Sequence, residues 1–241
     1  MIDIITRALR SPLDYIRALQ THTLVLKKQI DEGNDVYSFI FEPTKPINWK
    51  AGQHAIFSIP DKKITGKKWR AFSIASAPSE KEIRITTVIK EPPSSFKNTL
   101  RSLSFGSSIV MNGPFGEFYV RKTQNIVGIA SGVGITPFRS ILKEIVKGNL
   151  PDTHLHLLYS SKNPSHTFGE EFQTFTEHPQ ITIDFLNSQD IAVEKLESIA
   201  TVKNNDVAYY ISGSPLFIDR VRTLLQSHSI DNIINDPFKG Y

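Results

Sequence analysis

Ile126-Val127-Gly128-Ile129-Ala130-Ser131-Gly132-Val133-Gly134-Ile135-Thr136-Pro137 is the stretch from which the fold is read. Its first five residues make a short apolar run of the kind a buried strand needs. Two glycines follow, and Pro137 suits the first turn of a helix, where a missing N–H costs nothing. A strand that turns through glycines into a helix lets backbone N–H groups approach a diphosphate. The helix N-terminus favours that negative charge, and Thr136 adds a hydroxyl donor. The pattern is not Gly-x-Gly-x-x-Gly, and many strand-to-helix turns carry two glycines for tight geometry alone. By itself the stretch leaves both readings open.

Downstream the rhythm continues. A helix is expected over about 136–147, then strand 155–159, helix 169–176, strand 181–185, helix 192–200, strand 207–212 and helix 215–227. Alternating strands and helices imply a parallel sheet with helices on both faces. Upstream the pattern is different. Segments 23–29, 36–41, 54–59, 69–74 and 83–89 are short, β-branched or aromatic, and separated by turn residues. A helix over 95–103 interrupts them before a strand at 108–112. Short strands at this spacing suggest a closed antiparallel barrel. The expected organisation is therefore an N-terminal amphipathic segment (1–20), a β-barrel domain (21–120) and an α/β nucleotide-binding domain (121–241). In the first segment, Ile5, Leu9, Leu13, Ile16 and Leu19 fall near helical spacing. A short helix packed on the domain behind it is the preferred reading, over one that docks on a membrane surface or partner.

Composition narrows the chemistry. The 241 residues hold 39% hydrophobic and 22% charged side chains, as in ordinary globular domains, with room for two modest cores. A net charge of +4 without a basic stripe gives no nucleic-acid footprint. There is no cysteine, so this chain offers no disulfide, thiolate zinc site, iron–sulfur ligand or thiol nucleophile. Its seven histidines form no ligand-like cluster, and no metal is expected. His154 and His156 share one face of a strand, read as its exposed face. Redox chemistry here calls for an organic cofactor. No apolar run approaches spanning length and the start lacks a signal-peptide core, so the expected location is the cytoplasm.

Two further motifs precede the glycine turn. Arg70-Ala71-Phe72-Ser73-Ile74-Ala75-Ser76 lies at a strand end, and Gly113-Pro114-Phe115-Gly116-Glu117-Phe118 reads alone as a turn with aromatics packed around it. In this order, ahead of Gly132-Val133-Gly134-Ile135-Thr136-Pro137, the set resembles the ferredoxin–NADP reductase superfamily. The resemblance runs from Thr21 to Tyr241. It includes Ile211-Ser212-Gly213-Ser214-Pro215 and the tail Asp236-Pro237-Phe238-Lys239-Gly240-Tyr241, which is similar to the ending of stand-alone bacterial FAD reductases.

The resemblance assigns roles residue by residue. Arg70 would pair with a flavin phosphate, its forked donors suiting that anion. Phe72, where most relatives have Tyr, would lie against the isoalloxazine, and Ser73 would stand near flavin N5, with Ser76 close by. Thr86, Thr87 and Val88 would run along the ribityl and diphosphate portion. Ser94 and Ser95 would serve the second phosphate, which favours FAD over FMN. Gly132, Val133, Gly134, Ile135, Thr136 and Pro137 would hold the pyrophosphate of the nicotinamide dinucleotide. Ser212, where many relatives have Cys, and Gly213 would lie beside the nicotinamide. Asp236 would bring a carboxylate near the site, and Phe238 or Tyr241 would cover the flavin face. Ser160 and Lys162, with no acidic residue in the adjacent turn, point to NADPH over NADH, although a solvated loop lysine is the plainer alternative. Ser73, Ser212 and Asp236 are the candidate catalytic residues.

The implied activity is hydride transfer between NAD(P)H and FAD, with electrons passed to a separate acceptor such as a ferredoxin, flavodoxin or oxygenase component. The neighbouring possibilities are a flavin or ferric-chelate reductase with a small diffusible acceptor, and a non-catalytic flavin-binding subunit. The flavin does the difficult chemistry, which explains why the sequence presents no catalytic dyad.

Overall fold

The computed structural model describes residues 12–121, 125–201 and 207–236. Contacts divide the chain into two compact units, the first ending at Tyr119 and the second beginning at Val120.

Among the described residues the first unit begins with a single helical turn, α1 (Pro12–Tyr15), continued by a 3-10 turn at Ile16–Leu19. Strands β1 (Thr21–Gly33), β2 (Val36–Pro43), β3 (His54–Ser58), β4 (Trp69–Ser73) and β5 (Ile83–Val88) precede helix α2 (Ser95–Arg101) and strand β6 (Ser108–Phe115). All six strands pair antiparallel in the order β4-β3-β6-β1-β2-β5. β1 is longer than the sequence suggests because it runs into a two-residue hairpin. Asn34 and Asp35 both take positive φ (52° and 62°), the conformation that matches the twist of the flanking strands and that these two residue types tolerate. Register shifts at Leu26/Lys28 and Asp31/Gly33 mark irregularities in the β1–β2 ladder.

The curled sheet closes without a ladder between its edge strands. The Ala75 N–H donates to the Arg84 carbonyl (2.8 Å), just past the end of β4. Ser76 Oγ donates to the Glu82 carbonyl (2.6 Å) and accepts from the Arg84 N–H (2.9 Å). Inside lie Leu24, Phe39, Phe41, Phe57, Ile83, Ile85, Phe96 and Met111, all buried. On the outer face of β2 and β5, Arg84 pairs with Glu32 and reaches Ser38 Oγ, which meets Thr86 Oγ1 at 2.6 Å.

In the described part of the opening segment, residues 12–19, the apolar side chains of Ile16 and Leu19 do not pack as expected. Ile16 is 69% and Leu19 89% exposed. A 3-10 turn eclipses positions i and i+3, so these two side chains stand together, away from the barrel. The anchor is Tyr15 instead, buried with its ring 5.8 Å from that of Phe115. Residues 2–11 lie outside the described residues.

The second unit alternates β7 (Asn125–Ser131), α3 (Thr136–Val146), β8 (His154–Ser160), α4 (Gly169–Phe175), β9 (Ile181–Leu186), α5 (Gln189–Ala200), β10 (Val207–Ser212), α6 (Pro215–Ser227) and β11 (Ile233–Asn235). The strands are all parallel, in the order β11-β10-β7-β8-β9. Helices cover both faces, as expected. Val193 and Leu196 of α5 and Phe217, Val221 and Leu225 of α6 pack with Val127, Ile129, Leu158 and Ile211. Gly128 points to the opposite face, where α3 brings the Phe138 ring against it. α3 and α4 are tied by Arg139 and Lys143, both on the Glu171 carboxylate. Burial would raise the pKa of Glu171, but the two cations outweigh it and hold it below the usual range.

Two expectations need amendment. β11 was not anticipated, because two isoleucines between asparagines give no periodicity to read. His156 does not lie on an open strand face. Its Nε2 meets Asp184 Oδ2 at 2.7 Å, and Lys195 of α5 holds the other carboxylate oxygen. Among the described residues no helix is long and apolar enough to cross a membrane.

Gly128 is the tightest test of this packing. A Cβ there would stand 2.6 Å from Phe138 Cε1 and 3.0 Å from Leu157 Cδ1. Gly128→Ala is expected to cost about 1–3 kcal/mol of stability, read as a lower urea midpoint at unchanged slope. An unshifted midpoint would contradict the packing described.

Candidate functional site

The order of the parallel strands locates one site. From β7 the chain proceeds to β8 and β9 on one side, then returns to place β10 and β11 on the other. Where strand order reverses, a crevice opens beyond the carboxyl ends of the two central strands. The glycine turn lies there. Gly132–Ile135 forms a 3-10 turn that leads directly into α3. Gly132 has φ +55° with open space around its Cα, while Gly134 is pressed against β10: a Cβ on it would be 2.5 Å from the Ser212 carbonyl oxygen. Gly213 is confined as well, with Phe217 2.8 Å from where its Cβ would be. Thr136 Oγ1 donates to the Val133 carbonyl (3.1 Å), steadying the turn. Val133 and the glycines stay partly exposed, while Ile135, Thr136 and Pro137 are buried beneath them.

Two candidate residues distant in sequence meet at this crevice. Ser212 Oγ donates to Asp236 Oδ2 at 3.2 Å, and both residues are buried. β11 makes the contact possible: it runs beside β10, and the Asp236 N–H donates to the Ile211 carbonyl. At the end of β8, Ser160 is buried with its hydroxyl on the Ala130 carbonyl (3.2 Å), whereas Lys162 is exposed. Of that pair, Lys162 is the one open to solvent. Phe238 and Tyr241 lie outside the described residues.

The barrel gathers a second group. Arg70 and Phe72 are two residues apart on β4 and so share a face. Both meet Phe96 of α2: the Arg70 guanidinium carbon lies 5.3 Å from that ring's centre, and the Phe72 ring 6.3 Å from it. Arg70 is buried, with Nη1 donating to the Lys67 and Trp69 carbonyls. Phe72 is nine-tenths buried, among Phe57 and Phe96. Lys97, absent from the candidates read in sequence, extends its ammonium to the Val88 carbonyl at 2.8 Å. Ser94 caps α2 by accepting from the Lys97 N–H, and Ser95 Oγ accepts from the Thr65 N–H (3.1 Å).

Three barrel candidates have side-chain work inside the fold. Ser76 is fully buried and closes the sheet through Glu82 and Arg84. Thr86 belongs to the outer Ser38–Arg84–Glu32 network. Thr87 is buried, and alternation turns it to the side of Ile83 and Ile85. Ser73 is buried and lies opposite His54 in the β3–β4 register, with the two side chains on one face. His54 was not singled out in the sequence. Its ring packs edge-on to Phe115 at 4.5 Å, and Gly116 leaves the space it fills, since a Cβ there would be 2.3 Å from His54 Cε1.

Sequence profiles agree with the geometry of both units. The profile of the oxidoreductase FAD-binding domain matches residues 21–119, and that of the oxidoreductase NAD-binding domain matches residues 129–223. The chain belongs to the ferredoxin–NADP reductase superfamily. A flavohemoprotein of Bacillus subtilis is 27% identical over 222 residues, 83% of this chain and 54% of that protein. The chain spans about half the length of the curated relatives it matches. Among solved structures, the FAD/NAD-binding domain of nitric oxide dioxygenase from Vibrio cholerae shares the fold. The TM-score is 0.72 at 22% identity, over 90% of this chain and 98% of that one. The cytochrome b5 reductase domain of Ulva prolifera nitrate reductase gives 0.74 at 18% identity, over 90% and 97%.

A ferredoxin–NADP reductase fold implies a flavin dinucleotide on the barrel, and the residues present fit one. Lys97 has its pKa lowered first by burial and second by the nearby Arg70 charge. Two cations that repel each other at one barrel edge are an arrangement that a bound diphosphate stabilises. On the α/β unit, a Cβ on Gly132 would meet nothing within 4 Å, so that side of the turn at the start of α3 is open.

The two glycines of that turn separate space from conformation. Gly134→Ala forces its methyl onto the end of β10 and is expected to cost about 1–3 kcal/mol and to weaken dinucleotide binding. Gly132→Ala meets nothing but must hold a left-handed φ, a strain of about 1 kcal/mol. Chemical denaturation and dinucleotide titration of both variants check this; equal effects would contradict the assignment.

Proposed function

We propose that this chain is an FAD-dependent oxidoreductase that takes hydride from NAD(P)H and passes electrons to a separate protein acceptor. One observation supports the reading above all: each unit has a feature suited to holding a diphosphate. One is the Arg70–Lys97 pair at the barrel edge, and the other is the Gly132–Thr136 turn at the switch point of the parallel sheet.

Bound FAD supplies the hydride-accepting ring, so no side chain here needs to be oxidised or reduced. The protein's residues bind and orient. Arg70 and Lys97 neutralise the phosphates, with Phe96 holding the guanidinium in place from one side. Ser73, buried beside His54, places a hydroxyl at the end of β4 where the flavin ring is expected. Ser212 ends β10, its proton directed to Asp236, and so presents a small, fixed polar group to the nicotinamide. This arrangement favours orientation over acid–base work, which suits a transfer whose rate depends on holding two rings in contact.

NADPH is the favoured donor. Lys162 is exposed at the end of β8, and residues 160–168 contain no carboxylate to bind a free ribose 2′-hydroxyl or repel a 2′-phosphate. None of the 241 residues supplies a thiolate for an iron–sulfur centre, so the electrons pass to another molecule, read here as a protein.

FAD titration of the protein and of Arg70→Ala and Lys97→Met tests the barrel cradle. Each variant is expected to bind FAD roughly 10- to 100-fold more weakly, the loss typical of a charge-assisted hydrogen bond. Undiminished affinity in both would contradict the reading. Sustained NADPH oxidation with free flavin or a ferric chelate alone would contradict the protein-acceptor part of it.

A further inference from the structure

Between β8 and α4 the chain forms a tight loop, residues 161–168, built around His166. The backbone there is held in left-handed conformations at two non-glycine residues, His166 (φ 50°) and Phe168 (φ 63°). Such residues persist only where surrounding contacts fix them. Those contacts converge on the loop. The Ser161 N–H donates to the Leu186 carbonyl (2.9 Å), the His166 N–H to the Asn163 carbonyl (3.0 Å) and the Gly169 N–H to the His166 carbonyl (3.0 Å). The Thr167 N–H donates to Tyr159 Oη (3.1 Å).

The imidazole of His166 is the centre of this arrangement. Its ring stands edge-on to Tyr159 of β8 (4.9 Å) and to Phe185 of β9 (5.2 Å). Nε2 lies 3.0 Å from the Leu186 carbonyl oxygen and Nδ1 lies 3.1 Å from the Pro164 carbonyl oxygen. Both partners are acceptors only. A neutral imidazole carries one N–H and satisfies one of them; the imidazolium donates to both.

We propose that His166 is a positioning residue for dinucleotide specificity: its ring, set between Tyr159 and Phe185 and bonded to the Leu186 carbonyl, clasps the loop that carries Lys162 to the end of β9, and so fixes the lysine that distinguishes a 2′-phosphate from a 2′-hydroxyl. This rests on the assignment of Lys162 to the dinucleotide made above. The loop leaves the carboxyl end of β8 directly beside the end of β7, with Ser160 and Ser131 in register, so it borders the glycine turn. Of the groups around the ring, Tyr159 stays neutral, its pKa pushed up to about 12 by burial. The charged groups on the flanking elements are Lys162 on the loop, Asp184 on β9 and Glu170 and Glu171 on α4. Asp184 is already paired with His156 and Lys195, and Glu171 with Arg139 and Lys143.

The test uses the FAD-loaded full chain and measures dissociation constants of NADP+ and NAD+ for the protein, His166→Asn and Lys162→Ala. Asn tolerates the left-handed backbone and lacks the imidazole ring, so it removes the clasp without adding strain. The NADP+ preference of H166N is expected to be roughly fivefold lower, the effect of one lost hydrogen bond, with NAD+ affinity unchanged. A preference unchanged in H166N, or a parallel loss of both dinucleotides, overturns the proposal. If K162A keeps the parent preference, the assignment of Lys162 itself has failed, a result distinct from any failure of His166.

Discussion

Much of the second unit depends on the close approach of two strand ends. The backbone of Gly134 sits so near the end of β10 that a single methyl group would fall 2.5 Å from the Ser212 carbonyl oxygen. That contact brings the turn after β7 and the end of β10 together at the point where strand order reverses. It fixes the start of α3, and with it the direction in which backbone N–H groups point. It also places Ser212 at the crevice, where β11 then delivers Asp236. A glycine required for packing and a glycine that holds a left-handed φ in open space are different things, and this turn holds one of each kind.

The barrel meets a comparable demand with side chains. Its edge strands do not pair, and the gap is closed by Ala75 and by the hydroxyl of Ser76. The motif around Arg70 thus does two jobs within seven residues: its beginning presents a buried cation, and its end closes the sheet. α2 serves the same edge from the other side. Phe96 supports Arg70 and Phe72, and Lys97 adds a second charge, kept close to the first at an electrostatic cost that an anion removes.

Much of this was legible in the sequence because it depends on local pattern. The change from short strands to alternating strands and helices falls near 120, where the two units divide, and the strand bounds follow runs of β-branched and aromatic residues. What was not legible depends on contacts between distant residues. Lys97 reads as an ordinary helix lysine until the fold brings it near Arg70. Ser76 and Thr86 look like ligand hydroxyls until the sheet curls and gives them partners in Glu82 and Ser38. Ile16 and Leu19 have helical spacing, yet a tighter turn and the anchoring of Tyr15 leave them in water. Ser212 and Asp236 were both singled out, but three residues of β11, too short to show a period, are what bring them together.

The central claim is that the two units bind different nucleotides and exchange a hydride between them. The most direct measurement is the visible absorbance of the FAD-loaded protein, mixed anaerobically with NADPH and, in parallel, with NADH. The account expects the yellow colour to bleach with both donors, and faster with NADPH. A protein that takes up FAD but keeps its colour with either donor, or one that takes up no flavin at all, would contradict it.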